Sequence, residues 1–366
     1  MSFRLGDGLS GGTPRVRQPI FELTVGTGPS EDWARRLVAA RVRAGLAPAA
    51  DEAVIQLSPA GDHPQMGDVL TLALGYEESE SLAGALGAMR NGNPRRVFTG
   101  AVTSIEPTLS GLQVRALNGG ARLQRLRAKQ RYETQNAGDI VRDLATQANV
   151  AIGTIESGLR FPIYVVDDRR HAYQHVASLA WLCGFDAYFT PEDELRFGLF
   201  AKTTADHVFA YAEDVLALSV DTSAAAIARV TVMGESPASI QGEDTWHWLA
   251  SSWDSYRGKA GGGNPSLLVQ ARAIRTQEAA QTLASGLLDR AIRGATHGIL
   301  RALGRAEVKV GDMVEMAGVP EGGLNGLYQV VSVYHRLDRV NGFLTMLELI
   351  AAAGTRVFGG PLGELR

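Results

Sequence analysis

Apolar and polar side chains alternate along much of the chain. In residues 20–25, Phe21, Leu23 and Val25 fall on one side and Ile20, Glu22 and Thr24 on the other, the period of a strand with two distinct faces. The alternation resumes at 53–57, and at 69–74 after a Gly67-Asp68 turn. Residues 97–105 and 112–117 predict a hairpin turned over 107–111. Between the first two strands, residues 32–45 have helical spacing, with Trp33, Leu37 and Val38 on one face and Ser30 as N-cap. The middle of the chain changes period. Ile140, Val141, Leu144 and Ala148 predict a helix over 137–148 capped by Asn136. Val176, Leu179, Ala180 and Cys183 predict a second over 172–184, stopped by Gly184. Residues 185–190 and 194–199 then read as a hairpin turned at Pro191-Glu192-Asp193. Strands follow at 215–220 and 228–233. A helix over 276–292 places Ala280, Leu283, Leu287 and Ile292 near one face, and the last third returns to strands at 297–303, 313–316, 328–336 and 343–350.

Two distant stretches echo each other. Met66-Gly67-Asp68-Val69-Leu70-Thr71-Leu72 leads to Val102-Thr103-Ser104-Ile105 and a hairpin. Val310-Gly311-Asp312-Met313-Val314-Glu315-Met316 leads to Val330-Val331-Ser332-Val333 and a hairpin. In each, Gly-Asp makes a tight turn into a strand and a β-branched run marks a later strand. The echo is the mark expected of two related β-domains, although Gly-Asp turns are common.

Bulk properties narrow the function classes. The 366 residues suffice for two or three domains. With 36 basic and 39 acidic residues the net charge is −3, which disfavours a protein working by phosphate neutralisation. Cys183 is the lone cysteine. An intrachain disulfide and a Cys-based zinc site are therefore excluded, and folding in a reducing cytoplasm is expected. The N-terminus has no apolar stretch of a Sec-type signal. The longest apolar run, 176–183, falls far short of a membrane span.

The C-terminal strands carry a more specific pattern. They read Gly311-Asp312-Met313-Val314, then Gly326-Leu327-Tyr328-Gln329-Val330-Val331-Ser332-Val333-Tyr334-His335-Arg336-Leu337-Asp338, then Gly342-Phe343-Leu344-Thr345-Met346-Leu347-Glu348-Leu349. This resembles the phage late-control D family, the tail or baseplate hub of contractile phages, whose signature is shared by the N-terminal part of type VI secretion spikes. Residues 132–141, with Leu144-Ala145 behind them, and 173–189 fit the family's order, so the resemblance spans about residues 20–352. It implies an α+β, mainly β fold: two tube-like β-barrel domains with an intervening small α/β domain and an inserted segment. The expected divisions are a flexible arm (1–15), a first barrel (16–125), the α/β domain (126–205), a discontinuous second barrel (206–236 with 297–353), an inserted segment and helix (237–296) and a loose tail (354–366). The resemblance also implies a homotrimer in which six barrels ring one axis, adapting a hexameric tail tube to a trimeric spike. Its partners would be the spike, the tube protein and other baseplate proteins, with DNA or cargo passing through. Assembly would occur in the bacterial cytoplasm, and the product would be part of a virion tail, a tailocin or an extracellular injection particle. The chain ends soon after the last barrel strand, so a separate spike protein is expected. The alternatives are a peptidoglycan hydrolase at a tail tip and a truncated type VI spike.

Candidate chemistry is sparse. His171 and His175 stand four apart at a helix start, a spacing two metal ligands can use. They lack the zincin glutamate, and Asp167 and Asp168 read as helix caps. Glu77, Glu78 and Glu80 read as a solvated loop rather than an acid–base set. No nucleophile elbow or phosphate-binding loop stands out. Neither catalytic residues, metal nor cofactor is expected. The run Arg115, Arg122, Arg125, Arg127, Lys129 and Arg131 reads first as a solvated connector, and second as a docking surface or a contact with passing DNA. Trp246, Trp248, Trp253 and Tyr256 read as a partner-binding loop or as the core of an inserted subdomain, and both readings stand. The candidate interface residues are accordingly Arg122, Arg125, Arg127, Trp246, Trp248 and Trp253.

Overall fold

The structure is a computed structural model and describes residues 16–27, 30–46, 49–59, 61, 63–79, 93–199, 202–223, 227–234 and 256–352. The expected N-terminal arm, the C-terminal tail, Glu80, Trp246, Trp248 and Trp253 lie outside the described residues. The fold is α+β and mainly β, as the sequence predicts.

The first module contains β1 (Val16–Val25), α1 (Ser30–Arg36), β2 (Leu37–Gly45), β3 (Glu52–Leu57), β4 (Val69–Ser79), β5 (Arg95–Thr108) and β6 (Gly111–Leu117). Here one expectation fails. The helix predicted over 32–45 ends at Arg36, and the rest is β2. From Ala40 onward the chain alternates buried Ala40 and Val42 with exposed Arg41 and Arg43, and β2 is hydrogen-bonded on both sides. Ladder pairing outweighs the weak helical spacing. The strand β4 also runs on through Ser79, so Glu77 and Glu78 extend a strand that pairs with β1 instead of sitting in a loop.

The α/β unit follows, with α2 (Gly119–Arg125), β7 (Gln130–Asn136), α3 (Ala137–Gln147), β8 (Ala151–Ile155), β9 (Arg160–Val166), α4 (Ala172–Cys183), β10 (Asp186–Phe189) and β11 (Glu194–Gly198). The two long helices form where periodicity placed them. Gly184 ends α4 at φ +70, a left-handed conformation that glycine adopts without Cβ strain. Asn136 stands at the N-cap position of α3, but its amide donates to the Asp139 carboxylate at 3.2 Å instead of capping.

The second module uses β12 (His207–Ala210), β13 (Val215–Thr222), β17 (Thr296–Leu303), β18 (Met313–Ala317), β19 (Gly326–Asp338) and β20 (Gly342–Ala351). Between β13 and β17 lie β14 (Arg229–Gly234), β15 (Arg257–Gly261), β16 (Ser266–Ala271) and α5 (Gln277–Gly294). The sequence assigned 228–233 to the second barrel. The strand formed there, β14, is instead the centre of a separate three-stranded sheet with β15 and β16. Val230 and Val232 share one hydrophobic core with the α/β unit and with Ala280, Leu283 and Ala284 of α5. Ile292 departs from expectation too. It is 50% exposed, because the last turn of α5 has left that core.

The two six-stranded modules have one topology. Numbering the strands of each in chain order, the spatial order is second, third, sixth, fifth, fourth, first in both: β2-β3-β6-β5-β4-β1 and β13-β17-β20-β19-β18-β12. The irregularities recur as well. The second strand is bulged against the third between Leu37 and Ala39, and again between Val215 and Ala217. The fifth is bulged against the sixth between Val102 and Ser104, and again between Val330 and Ser332. The modules differ in the first strand, which is antiparallel to the fourth in one and parallel in the other.

Candidate assembly surfaces

The Gly-Asp turns of the sequence echo are equivalent bond for bond. Gly67 N–H donates to the Val102 carbonyl at 2.9 Å, and the Asp68 carbonyl accepts from Val102 N–H at 2.8 Å. Gly311 and Asp312 do the same with Val330 at 3.0 and 2.9 Å. Each aspartate also caps its own turn, accepting from Gln65 N–H at 2.8 Å or from Lys309 N–H at 3.1 Å. Gly67 and Gly311 have φ +90 and +96, a region costly for a residue with a Cβ.

A seam joins the modules into one sheet. The second strand of the first module, β2, pairs antiparallel with the later half of β19, from Gly45 opposite Ser332 to Ala39 opposite Asp338. Beyond that ladder, Leu337 of β19 is 7% exposed and belongs to the first module's core, as do Ala306 and Phe343. Burying such a leucine contributes about 2 kcal/mol. Tyr76 donates its hydroxyl to the Phe343 carbonyl at 2.5 Å across the same boundary. Gly304 leaves room for the Phe343 ring, since a Cβ there would lie 2.1 Å from it. His335 faces Val42 in the ladder, is 3% exposed and lies 3.0 Å from the Thr345 hydroxyl. Burial pushes its pKa down to about 4, against a weaker upward pull from Glu307.

Asp51 ties the first module to the α/β unit, a link that sequence reasoning missed. Its carboxylate accepts from Gly45 N–H at 3.0 Å and from the Asn118 amide at 2.8 Å. The Asn118 side-chain oxygen in turn accepts from Asp51 N–H and Gly120 N–H, each at 3.1 Å. Burial pushes the Asp51 carboxyl up to about 8, resisted by the Gly45 N–H and helped by the nearby Asp193 carboxylate. Asp51 and His335 line one cavity of about 20 Å³ where the parts of the chain meet. The only advance signal was an aspartate and an asparagine bordering apolar strands, which is indistinguishable from ordinary turn chemistry.

The predicted site residues separate. Arg122 on α2 pairs with Asp193 at 2.8 Å, and Asp193 also accepts from Gly119 N–H at 2.5 Å. Arg127 donates to the Arg169 carbonyl at 2.7 Å. Arg115 pairs with Glu52 at 2.7 Å, and Arg131 with Glu133. Arg125 and Lys129 are exposed. Four of the six cations are thus engaged within the chain. The His171–His175 pair is a helix start with roles other than those expected. His171, rather than Asp167 or Asp168, caps α4: its Nδ1 accepts from Gln174 N–H at 3.2 Å, and Gln174 Oε1 accepts from His171 N–H. His175 is buried, with Nε2 3.0 Å from the Asp167 carbonyl and Nδ1 3.1 Å from Arg170. Among the described residues no three His, Cys, Asp or Glu side chains gather as a metal site. A surface cleft of about 610 Å³ between the β7–β9 ladder and the turn after β16 is lined by Glu133, Tyr164, Arg170 and Arg272. Glu133, the one carboxylate among its described lining residues, is ion-paired to Arg131. Tyr256, just before β15, is half-buried.

Several strands of the large sheet keep an unpaired side among the described residues, including β13 and the later half of β5. Among the described residues β13 pairs only with β17, and the stretch of β5 beyond Ala101 pairs only with β6.

No protein-family model and no curated protein sequence matches the chain. Solved structures do. The 43 kDa tail protein of prophage MuSo2 from Shewanella oneidensis superposes over 92% of this chain and 99% of its own, with a TM-score of 0.67 at 14% identity. The chain has the fold of a phage tail protein. The tail protein of Neisseria meningitidis MC58 gives 0.66 at 14% identity over 91% and 97% of the two chains. An Escherichia coli type VI secretion component described as similar to the bacteriophage T4 tail proteins gp27 and gp5 gives 0.57 at 11% identity, over 92% of this chain and 78% of its own. The hub resemblance read from the C-terminal strands agrees with this tail-protein fold.

Proposed function

We propose that the chain is a structural hub of a contractile phage tail or phage-tail-like injection system. Three copies form a ring that adapts a six-fold tube to a three-fold spike. The duplicated module carries this reading. One polypeptide holds two β modules of the same strand order, bulges and Gly-Asp turns, so three chains supply six similar units around an axis. The tail-protein fold supports the setting, and the type VI component of the same fold supports a spike as partner. In this reading the first module, the α/β unit and the second module are the working domains, and the β14–β16 sheet with α5 braces the α/β unit. Function then lies in shape and contact surface, with the particle's tail as its location. Light scattering on the purified full chain tests the reading. A mass of three chains that rises from one chain with concentration is expected; a dimer, or a monomer at every concentration, overturns it.

A further inference from the structure

The seam inside the chain is also a template for the joint between chains. It pairs the second strand of one module with the later half of the fifth strand of the other. Elsewhere in the sheet the same two elements stand without a partner among the described residues: the second strand of the second module, β13, and the later half of the fifth strand of the first module, β5.

We propose that β13 of one copy pairs antiparallel with the later half of β5 of the next copy, and that Leu109 at the β5–β6 turn inserts into the second module's core of that neighbour. This inference rests on the ring reading above and specifies its contact. The shared bulges fix the register. Leu37 corresponds to Val215 and Ala39 to Ala217, while Val102 corresponds to Val330 and Ser104 to Ser332. Carrying the seam's pairing across sets Ile105 opposite Thr222, Glu106 opposite Asp221, Thr108 opposite Ser219 and Leu109 opposite Leu218.

Exposure changes at the positions this joint would cover. Leu37, Ala40 and Val42, on the strand covered by the seam, are buried, whereas Val215, Leu218 and Val220 at the matching places of β13 are half-buried. Leu337 is 7% exposed within the other module's core, whereas its counterpart Leu109 is 108% exposed. A leucine fully in water beside an open strand edge is the form an interface anchor takes before its partner arrives. The match also has costs. Pro107 stands where His335 does and brings no N–H to the ladder, and Glu106 meets Asp221 as like charges directly opposite, which weakens strand pairing. These features let neither edge bind indiscriminately and predict a joint that forms only at adequate concentration.

The test uses the full chain with three variants, each checked for native circular dichroism. Leu109→Asp is expected to raise the dissociation constant of the trimer contact at least about 30-fold, as loss of an anchor does. Glu106→Lys, which turns the repulsion into attraction, is expected to lower it. A chain with both Thr108→Cys and Ser219→Cys is expected to cross-link chain to chain on mild oxidation up to a covalent trimer, while Ser219→Cys alone does not; Cys183 is buried. A trimer that survives Leu109→Asp and never cross-links overturns this joint while leaving the ring reading standing. A chain that neither assembles nor cross-links at any concentration overturns both.

Discussion

At the scale of single residues, His335 makes the joint between modules sensitive to acid. In an unfolded chain its imidazole titrates near 6.5, whereas burial in the seam lowers the folded value to about 4. The unfolded state therefore binds more protons between those values. Stability is complete above pH 6.5 and is lost as pH falls towards 4. The gap between 6.5 and about 4 is worth about 3 kcal/mol. Urea unfolding at intervals from pH 7 to 4 should show the wild type losing stability relative to His335→Gln as pH falls, because the contributions of other groups, Asp51 included, are common to both proteins. Equal slopes for the two proteins would show that His335 does not report on the seam. Asp51 acts in the opposite sense, since a carboxyl raised to about 8 makes folding less favourable as pH climbs from about 4 to 8. Neither effect was legible in the sequence. His335 was visible only as a member of the family pattern, and Asp51 as a polar residue before a strand. Titration behaviour depends on what packs over a group, and the strands that cover these two lie far away along the chain.

Among the elements, what the sequence showed depended on whether the signal was local. The α4 helix, with its apolar stripe and Gly184 stop, and the β5–β6 hairpin appear where periodicity put them. The stretch 32–45 did not, because its second half is held by β19, almost three hundred residues later. The sheet of β14 to β16 was missed for a similar reason: β14 is flanked by two strands that follow it only after the segment 235–255. Its attachment depends on a contact that no pattern announces. Gly286 of α5 lies against Gly184, and a Cβ on Gly286 would come within 2.7 Å of the Gly184 Cα. Backbone on both sides cannot yield as a flexible side chain would, so Gly286→Leu should push α5 off the α/β unit at a cost of about 1–3 kcal/mol. Hydrogen exchange should then quicken in α5 and β14 and leave β19 and β20 protected. Unchanged protection in α5 would mean that the helix is held elsewhere, for instance through Arg290, which bonds the Asp186 carboxylate at 2.7 Å.

For the whole molecule, the duplication makes a prediction about symmetry that mass alone does not test. If three chains close through joints like the internal seam, the six β modules lie at nearly equal spacing, because each joins the next by the same pair of strand positions. Among the described residues the α/β unit and the β14–β16 sheet with α5 each occur once, so they would decorate the ring at three places. Negative-stain class averages viewed down the axis should accordingly show six inner lobes of similar density and three outer ones. Sharper reconstructions should find the departures from six-fold order where the modules themselves differ, above all at the first strand, antiparallel in one module and parallel in the other. Three inner lobes would mean that the shared topology does not place the modules equivalently in the assembly. Six inner lobes with no three-fold outer feature would put the α/β unit on the axis side, where it would narrow the channel and remove the room that a tube-to-spike adaptor needs.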